Sequence, residues 1–177
     1  MGPAGMGPAQ VRAGRGGSAM PTGPDLGTHM SFSCGAQFVD VRVDPRTRAI
    51  RVARTVGVFD AGTVVNPRTA RSRLMGGLVW GIGHGLLEET EVDRRLGRFA
   101  NTYFAGYHVA ACADVRDIAV EILPGRDPGA NPLGVKGIGE VGIVGINAAV
   151  VNALFHATGV RVQRAPPMLE DATGPGT

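Results

Sequence analysis

The sequence predicts an α+β fold, in which an antiparallel hairpin and short strands pack with two glycine-rich helices. Apolar and polar residues alternate over 36–43 and again over 49–59, and a turn at Asp44-Pro45 separates the two runs, which is typical of a half-buried β-hairpin. Two later stretches, 66–89 and 141–157, repeat apolar residues at helical spacing. With 177 residues, 44% of them hydrophobic, the chain is long enough for one domain with its own core.

The first predicted helix begins with a helix-start signal, because Asn66 suits the N-cap and Pro67 the first helical position. A stripe expected to be buried recurs every four residues: Leu74, Leu78, Ile82 and Leu86. A second stripe lies one step round the helix: Gly77, Gly81 and Gly85. Each glycine costs about 1 kcal/mol relative to alanine in a helix. Either a second helix packs tightly on this face or a flat ligand lies against it, and both interpretations stay open.

The rest of the chain is predicted to add short elements to this framework. In order, they are a charged connection over 91–96, an aromatic stretch over 101–109 that packs on the core, a strand over 117–123, a loop over 124–132 and a last strand over 160–164. Gly159 is expected to end the second helix. Residues 1–30 carry Gly or Pro at 12 positions and are predicted to be a disordered leader, 31–171 the folded domain and 172–177 a tail. No apolar run is long enough to span a membrane.

The charge and cysteine patterns argue against several classes of function. The net charge of +3 comes mostly from scattered arginines without interleaved aromatic residues, which favours a solvated strand face over a nucleic-acid patch. They are Arg42, Arg46, Arg48, Arg51 and Arg54. Cys34 and Cys112 are far apart and match no CxxC pattern, which argues against zinc or an iron–sulfur cluster in this chain and for a reduced, intracellular protein.

The run 131–157 begins as a glycine-rich turn and is predicted to become the second helix at about Val141, with Glu140 where the two meet. Free backbone N–H groups at such a place suit an anion, and a carboxylate there suits a general base. An ordinary acidic residue of a first helical turn is the alternative, and it stays open. The spacing Gly137-x-Gly139-x-x-Gly142 matches a dinucleotide fingerprint, but no strand precedes it and no acid follows about 20 residues later, so we discount it.

Several blocks occur in the order that characterises one known family. They are Asp60-Ala-Gly with Asn66-Pro67 and Thr69-Ala-Arg-Ser, Gly76-Gly77 with Gly81-Ile-Gly83 and Glu88-Glu89, Tyr107-His-Val, Ala113-Asp114-Val115 with Asp117-Ile118, and Asn131-Pro-Leu-Gly-Val-Lys-Gly-Ile-Gly-Glu140. On these blocks, residues 31–171 resemble the C-terminal part of the molybdopterin-binding large subunit of the xanthine dehydrogenase and aldehyde oxidase family.

The resemblance implies a molybdenum hydroxylase that oxidises an aldehyde or N-heterocycle by hydroxyl transfer from the molybdenum centre. Glu140 would be the general base, and the metal would be held by the cofactor, not by protein ligands. The implied cofactor contacts are Thr63, Val64, Val65, Asn66, Pro67, Arg68, Thr69, Arg73, Lys136, Gly137, Ile138 and Gly139. The family usually has glutamine at the position of Arg73 and tends to have arginine at that of Thr63.

The resemblance also implies partners. They are the remainder of the large subunit, a [2Fe–2S] subunit and an FAD subunit, with a molybdenum–molybdopterin cofactor in its cytosine dinucleotide form. Cytoplasmic localisation is expected, with export through a partner's signal as the alternative. Large subunits of the family are several times longer than 177 residues. We therefore expect the chain to be inactive alone, and a remnant or interaction module of the same fold is the alternative function.

Overall fold

The computed structural model describes residues 30–167, so the predicted tail and nearly all of the predicted leader lie outside the described residues. In chain order the elements are β1 (Cys34–Val43), β2 (Ile50–Asp60), α1 (Pro67–Leu86), β3 (Val92–Asp93), β4 (Arg98–Phe99), β5 (Ile118–Ile122) and α2 (Ile146–Thr158). The predicted α+β fold is confirmed.

Three strands form the main sheet in the order β1-β2-β5. β1 and β2 pair antiparallel with Val43 opposite Ile50, which confirms the predicted hairpin. β5 joins the other side of β2 in parallel, with Thr55 opposite Ile118. The predicted charged connection after α1 contains one half of a small separate hairpin, β3 with β4. The predicted arginine-rich strand face is solvated, because the five arginines of β1, β2 and their turn are exposed.

The core lies where both helices pack on the sheet. Phe59, Leu74, Leu78 and Ile146 are fully buried and belong to one cluster. Burying a side chain of this size contributes about 1.5–3 kcal/mol relative to leaving it exposed. Because the leucines come from the predicted stripe of α1, the periodicity of that helix identifies the face that it buries.

The glycine stripe of α1 packs against the second helix and the turn before it. A Cβ added at Gly77 would lie 2.9 Å from the Cα of Gly142, and one added at Gly81 would overlap the side chain of Ile146. Asn147 and Val150 lie next to Gly85. Of the two interpretations of this stripe, helix packing is therefore the one observed in the described residues.

The second helix begins later than predicted, at Ile146 instead of about Val141. Gln37 of β1 donates from Nε2 to the carbonyls of Val141 and Gly142, at 2.9 and 3.1 Å. A carbonyl held this way points at the strand, and residues 141–145 form turns. Glu140 therefore lies in a turn before the helix, not at its start. Gly159, at φ 74°, ends α2 as predicted.

Two predictions about the connecting segments are wrong. Residues 160–164 form no strand, because Arg161 instead stacks on the ring of Phe155 at 3.8 Å and Val162 is buried beside Leu154. The aromatic stretch 101–109 does not pack on the core, since Phe104 is 81% exposed. α1 also ends at Leu86, three residues before the predicted end.

Candidate functional site

A cavity of about 450 Å³ lies between the segment that leads from β2 into α1 and the glycine-rich turn before α2. The sequence-predicted residues that line it are Thr63, Val64, Val65, Asn66, Thr69, Arg73, Lys136 and Ile138, together with Ala61, Ala70 and Val135. Pro67, Arg68, Gly137, Gly139 and Glu140 are not among the lining residues. The two segments chosen from the sequence, about 70 residues apart, thus meet around one space.

Backbone hydrogen bonds join the two walls of the cavity. The N–H of Thr63 donates to the carbonyl of Gly134 at 2.8 Å, and that of Lys136 donates to the carbonyl of Ala61 at 3.1 Å. Gly62 and Gly134 have φ values of 63° and 70°, a region that glycine adopts readily. A Cβ at Gly62 would overlap the Gly134 carbonyl oxygen, so this close approach requires glycine.

An ion pair crosses the same junction. The Nζ atom of Lys136 lies 3.1 Å from Oδ2 of Asp60, and the lysine side chain is only 10% exposed. The N–H of Gly62 donates to Oδ1 of Asp60. This hydrogen bond is the largest cause of an Asp60 pKa below its ordinary value, and the hydrogen bond from Lys136 is the second. Sequence analysis did not identify Asp60 as a partner of Lys136. The available signal was an acid at the end of a strand directly before a glycine.

The helix-start N–H groups that were predicted to bind phosphate are partly occupied. Oδ1 of Asn66 accepts from the N–H groups of Arg68 and Thr69 at 3.1 and 3.2 Å, and Pro67 has no N–H. The donors that remain lie just before the helix. Within residues 30–167, the backbone N–H groups of Val64, Val65 and Asn66 make no hydrogen bond.

The glycine-rich turn offers donors of the same kind. In the part of the chain that the structure describes, the N–H groups of residues 137–140 have no hydrogen-bond partner. A Cβ at Gly137 or Gly139 would meet nothing within 4 Å, so the space beside this backbone is open. Backbone donors beside open space fit a flat, polar ligand such as a pterin, which accepts hydrogen bonds at its edge.

Glu140 lies in the turn, next to Gly139. Its side chain is exposed and has no hydrogen bond or ion pair among the described residues, while its carbonyl accepts from the N–H of Ile143 at 2.9 Å. A carboxylate without a partner has its lone pairs available to accept a proton.

Arg73 is the cation without a partner on the cavity wall. It is exposed and makes no ion pair with any described residue. A guanidinium in this position fits a phosphate, although it cannot accept a hydrogen bond. Within 30–167, no group of three or more His, Cys, Asp or Glu side chains is placed to hold a metal ion directly. The unpartnered backbone donors and the guanidinium of Arg73 suit a ligand that carries hydrogen-bond acceptors and negative charge.

The fold and the cavity thus suit the binding of a cofactor, and comparison with known proteins identifies the family and its cofactor class. The family model described as "Molybdopterin cofactor-binding domain" matches residues 15–116. The aldehyde oxidoreductase molybdenum-binding subunit PaoC of Escherichia coli is 44% identical over 133 residues, which cover 75% of this chain and 18% of that protein. A probable xanthine dehydrogenase subunit of Bacillus subtilis is 33% identical over 156 residues, which cover 85% of this chain and 20% of that protein.

A solved structure agrees with these matches. Quinoline 2-oxidoreductase from Pseudomonas putida superposes with a TM-score of 0.67 at 32% identity, over 74% of this chain and 17% of that one. The chain therefore belongs to the molybdopterin-binding family of xanthine dehydrogenases and aldehyde oxidoreductases, as its sequence blocks indicated. It spans about one-fifth of the length of the curated relatives it matches. No helix in the described region is both long and apolar enough to cross a membrane.

Proposed function

We propose that this chain forms one wall of the molybdopterin site in a molybdenum hydroxylase that oxidises an aldehyde or N-heterocycle. The observation that carries the proposal is that residues 61–73 and 135–138 enclose one cavity of about 450 Å³. Within the described residues, donors without a protein partner lie at Val64 to Asn66 on one wall and in the turn 137–140, of which Ile138 lines the other wall.

Each part of the wall has a distinct task. When bound, the molybdenum–pterin group supplies the oxidising metal and the oxygen that is transferred. The N–H groups of 64–66 and the guanidinium of Arg73 suit its phosphates, in the cytosine dinucleotide form that we expect. The N–H groups of Lys136, Gly137, Ile138 and Gly139 belong to the turn beside the pterin, and that of Lys136 is already used by Ala61 at 3.1 Å. Three donors of this turn thus remain for the ligand.

Glu140 is proposed as the general base. It follows directly on the glycine turn, and its carboxylate is exposed and has no partner within 30–167. Its position next to Gly139 brings a proton acceptor to the end of the proposed cofactor contacts. A positioned general base typically contributes about 10²–10⁴-fold to a rate.

The proposal includes further chains, since 177 residues supply only one part of such a site. The relative from Escherichia coli is described as a molybdenum-binding subunit. By that likeness we propose the remainder of a large subunit, a [2Fe–2S] subunit and an FAD subunit as partners, which carry electrons away from the molybdenum. Cytoplasmic localisation is proposed, with export through a partner as the alternative.

The test is Glu140→Gln in the assembled enzyme with its partner subunits. We expect molybdenum and pterin content to stay at the wild-type level while turnover of an aldehyde falls at least 100-fold, because the amide cannot accept the proton. Glu121→Gln is the matched control, since Glu121 is an exposed residue of β5 without a partner in the described chain. Wild-type turnover in Glu140→Gln would remove Glu140 from the mechanism.

A second candidate function is a fold that has lost its cofactor and serves only as an interaction module. Arg73 favours it, because arginine cannot accept the hydrogen bond that the glutamine usual in the family would accept. Molybdenum and pterin analysis of the purified complex separates the two. If a correctly assembled complex contains neither molybdenum nor pterin, the interaction module is supported and the proposed molybdenum hydroxylase is refuted.

A further inference from the structure

The turn that carries Glu140 is held by side chains of a strand about 100 residues away. Ser33, which directly precedes β1, donates from Oγ to the carbonyl of Gly137 at 2.5 Å. Gln37 of the same strand donates from Nε2 to the carbonyls of Val141 and Gly142, at 2.9 and 3.1 Å. β1 and the residue directly before it therefore contact the turn on both sides of the glutamate.

The local backbone explains why these two side chains reach the turn. Successive side chains of an extended chain point to opposite faces, so residues 33, 35 and 37 share one face. On that face Gly35 and Gly57 carry no side chain, and a Cβ at either would overlap the ring of Phe59. Gln37 lies opposite Gly57 in the register, so space is left for its amide to cross towards the turn.

The orientation of the Gln37 amide follows from its partners. Both partners are carbonyls, so the NH₂ group must face them. Its Oε1 is buried and has no hydrogen-bond partner within the described residues. The side chain is thus held through its donor end alone.

The other side of the turn rests on α1. A Cβ at Gly142 would lie 2.8 Å from the carbonyl oxygen of Leu74, which leaves this part of the turn no freedom to move towards the helix. Glu140 itself has no side-chain partner in the described chain. The backbone on either side of Glu140 therefore sets the point from which its side chain extends.

We infer that Ser33 and Gln37 are positioning residues, which fix the turn 137–142 and so hold Glu140 where it accepts a proton. The inference rests on the proposed function of Glu140. Neither residue is assigned contact with cofactor or substrate. Misplacement of a reacting group by about 1 Å typically costs on the order of 10²-fold in rate, so loosening the turn has a measurable consequence.

The first experiment is ¹⁵N relaxation on the full 177-residue chain. Gln37→Met keeps the side-chain length but removes the donor, and Ser33→Ala removes the hydroxyl. We expect the ¹H–¹⁵N heteronuclear NOE to fall at Gly139, Glu140 and Ile143 in both variants and to stay unchanged in β2. Gln163→Met, at an exposed site, and Ser33→Thr, which keeps the hydroxyl, are the controls. Wild-type NOE values at Glu140 in the folded double variant would overturn the inference.

The second experiment measures the consequence in the assembled enzyme. Gln37→Met and Ser33→Ala are expected to lower kcat about 10- to 100-fold with KM within twofold and molybdenum content unchanged. A lower NOE with unchanged kcat would also overturn the positioning role. If Glu140→Gln keeps wild-type turnover, the proposed role of Glu140 fails. The relaxation data distinguish that case, because they report whether Ser33 and Gln37 hold the turn independently of activity.

Discussion

Gly77 of α1 and Gly142 of the turn before α2 are in backbone contact, since a Cβ on Gly77 would lie 2.9 Å from both the Cα and the carbonyl carbon of Gly142. This contact joins the proposed cofactor turn to the first helix. Backbone atoms cannot rotate out of the way as a flexible side chain can. The helix position and the turn position are therefore coupled.

Gly77→Ala is expected to destabilise the fold by about 1–3 kcal/mol, the typical cost of forcing an extra carbon into a packed site. Gly76→Ala is the matched control, because a Cβ at Gly76 meets nothing within 4 Å. That variant is expected to gain up to about 1 kcal/mol from helix propensity. Urea unfolding followed by circular dichroism measures both. Equal stability of the two variants would contradict the backbone contact.

Asp60→Asn is expected to lower stability in a pH-dependent way. The Gly62 N–H and the Lys136 ammonium lower the Asp60 pKa from 3.8 in the folded state. The stabilisation is therefore full above the ordinary carboxyl pKa and is lost as pH falls through the lower, folded value. Tm measured from pH 7 to pH 2 should show a gap between wild type and Asp60→Asn that closes at the acid end.

Lys136→Met removes the hydrogen bond and the charge of Lys136 but keeps the Gly62 hydrogen bond, which is the largest cause of the lowered Asp60 pKa. In the Lys136→Met background, the Tm difference between Asp60 and Asp60→Asn should therefore narrow but persist. A gap that stays constant down to pH 2 would show that the carboxylate charge is not the source of the stabilisation.

Asn66→Ala is expected to cost about 1 kcal/mol, within the range of 0.5–2 kcal/mol found for lost N-caps. Oδ1 of Asn66 accepts from the N–H groups of Arg68 and Thr69, and alanine leaves both without an acceptor. Asn66→Asp keeps an acceptor at the same place and should stay within a few tenths of a kcal/mol of wild type. Thermal unfolding decides this, and an unaffected Asn66→Ala would refute the capping role.

Arg73→Glu is expected to abolish phosphate binding at the cavity, whereas Arg68→Glu should leave it close to wild type. Both arginines are exposed residues of α1, but only Arg73 lines the cavity. Inorganic pyrophosphate titrated into ¹⁵N-labelled chain should shift the amide signals of 64–66 in wild type and Arg68→Glu. Equal loss in both variants would indicate a non-specific charge effect.

Local signals predicted much of this fold. Alternation identified the hairpin, and Asn66-Pro67 located the start of α1 because capping depends only on neighbouring residues. The start of α2 was missed because the carbonyls of Val141 and Gly142 bond to Gln37, which is distant in sequence. The parallel pairing of β5 with β2 was likewise not predicted, since it depends on contacts across about 60 residues.

The sequence indicated the segments of the candidate site but not their geometry. The resemblance identified 63–69 and 136–139, and the structure brings parts of both to one cavity. The sequence did not reveal that Gly62 and Gly134 permit that approach, because positive φ values are a property of the folded backbone. The place of Glu140 in a turn, and the strand residues that hold that turn, depend on the same tertiary contacts.

Asn66 serves two purposes, since it caps α1 and also lines the cavity. A substitution of Asn66 that changes ligand preference would also remove the cap of α1, and the lower stability would be selected against. Sequence differences among such proteins should therefore accumulate at Val64, Val65 and Ile138, which line the cavity but do not cap a helix. Engineering of the pocket is best begun there.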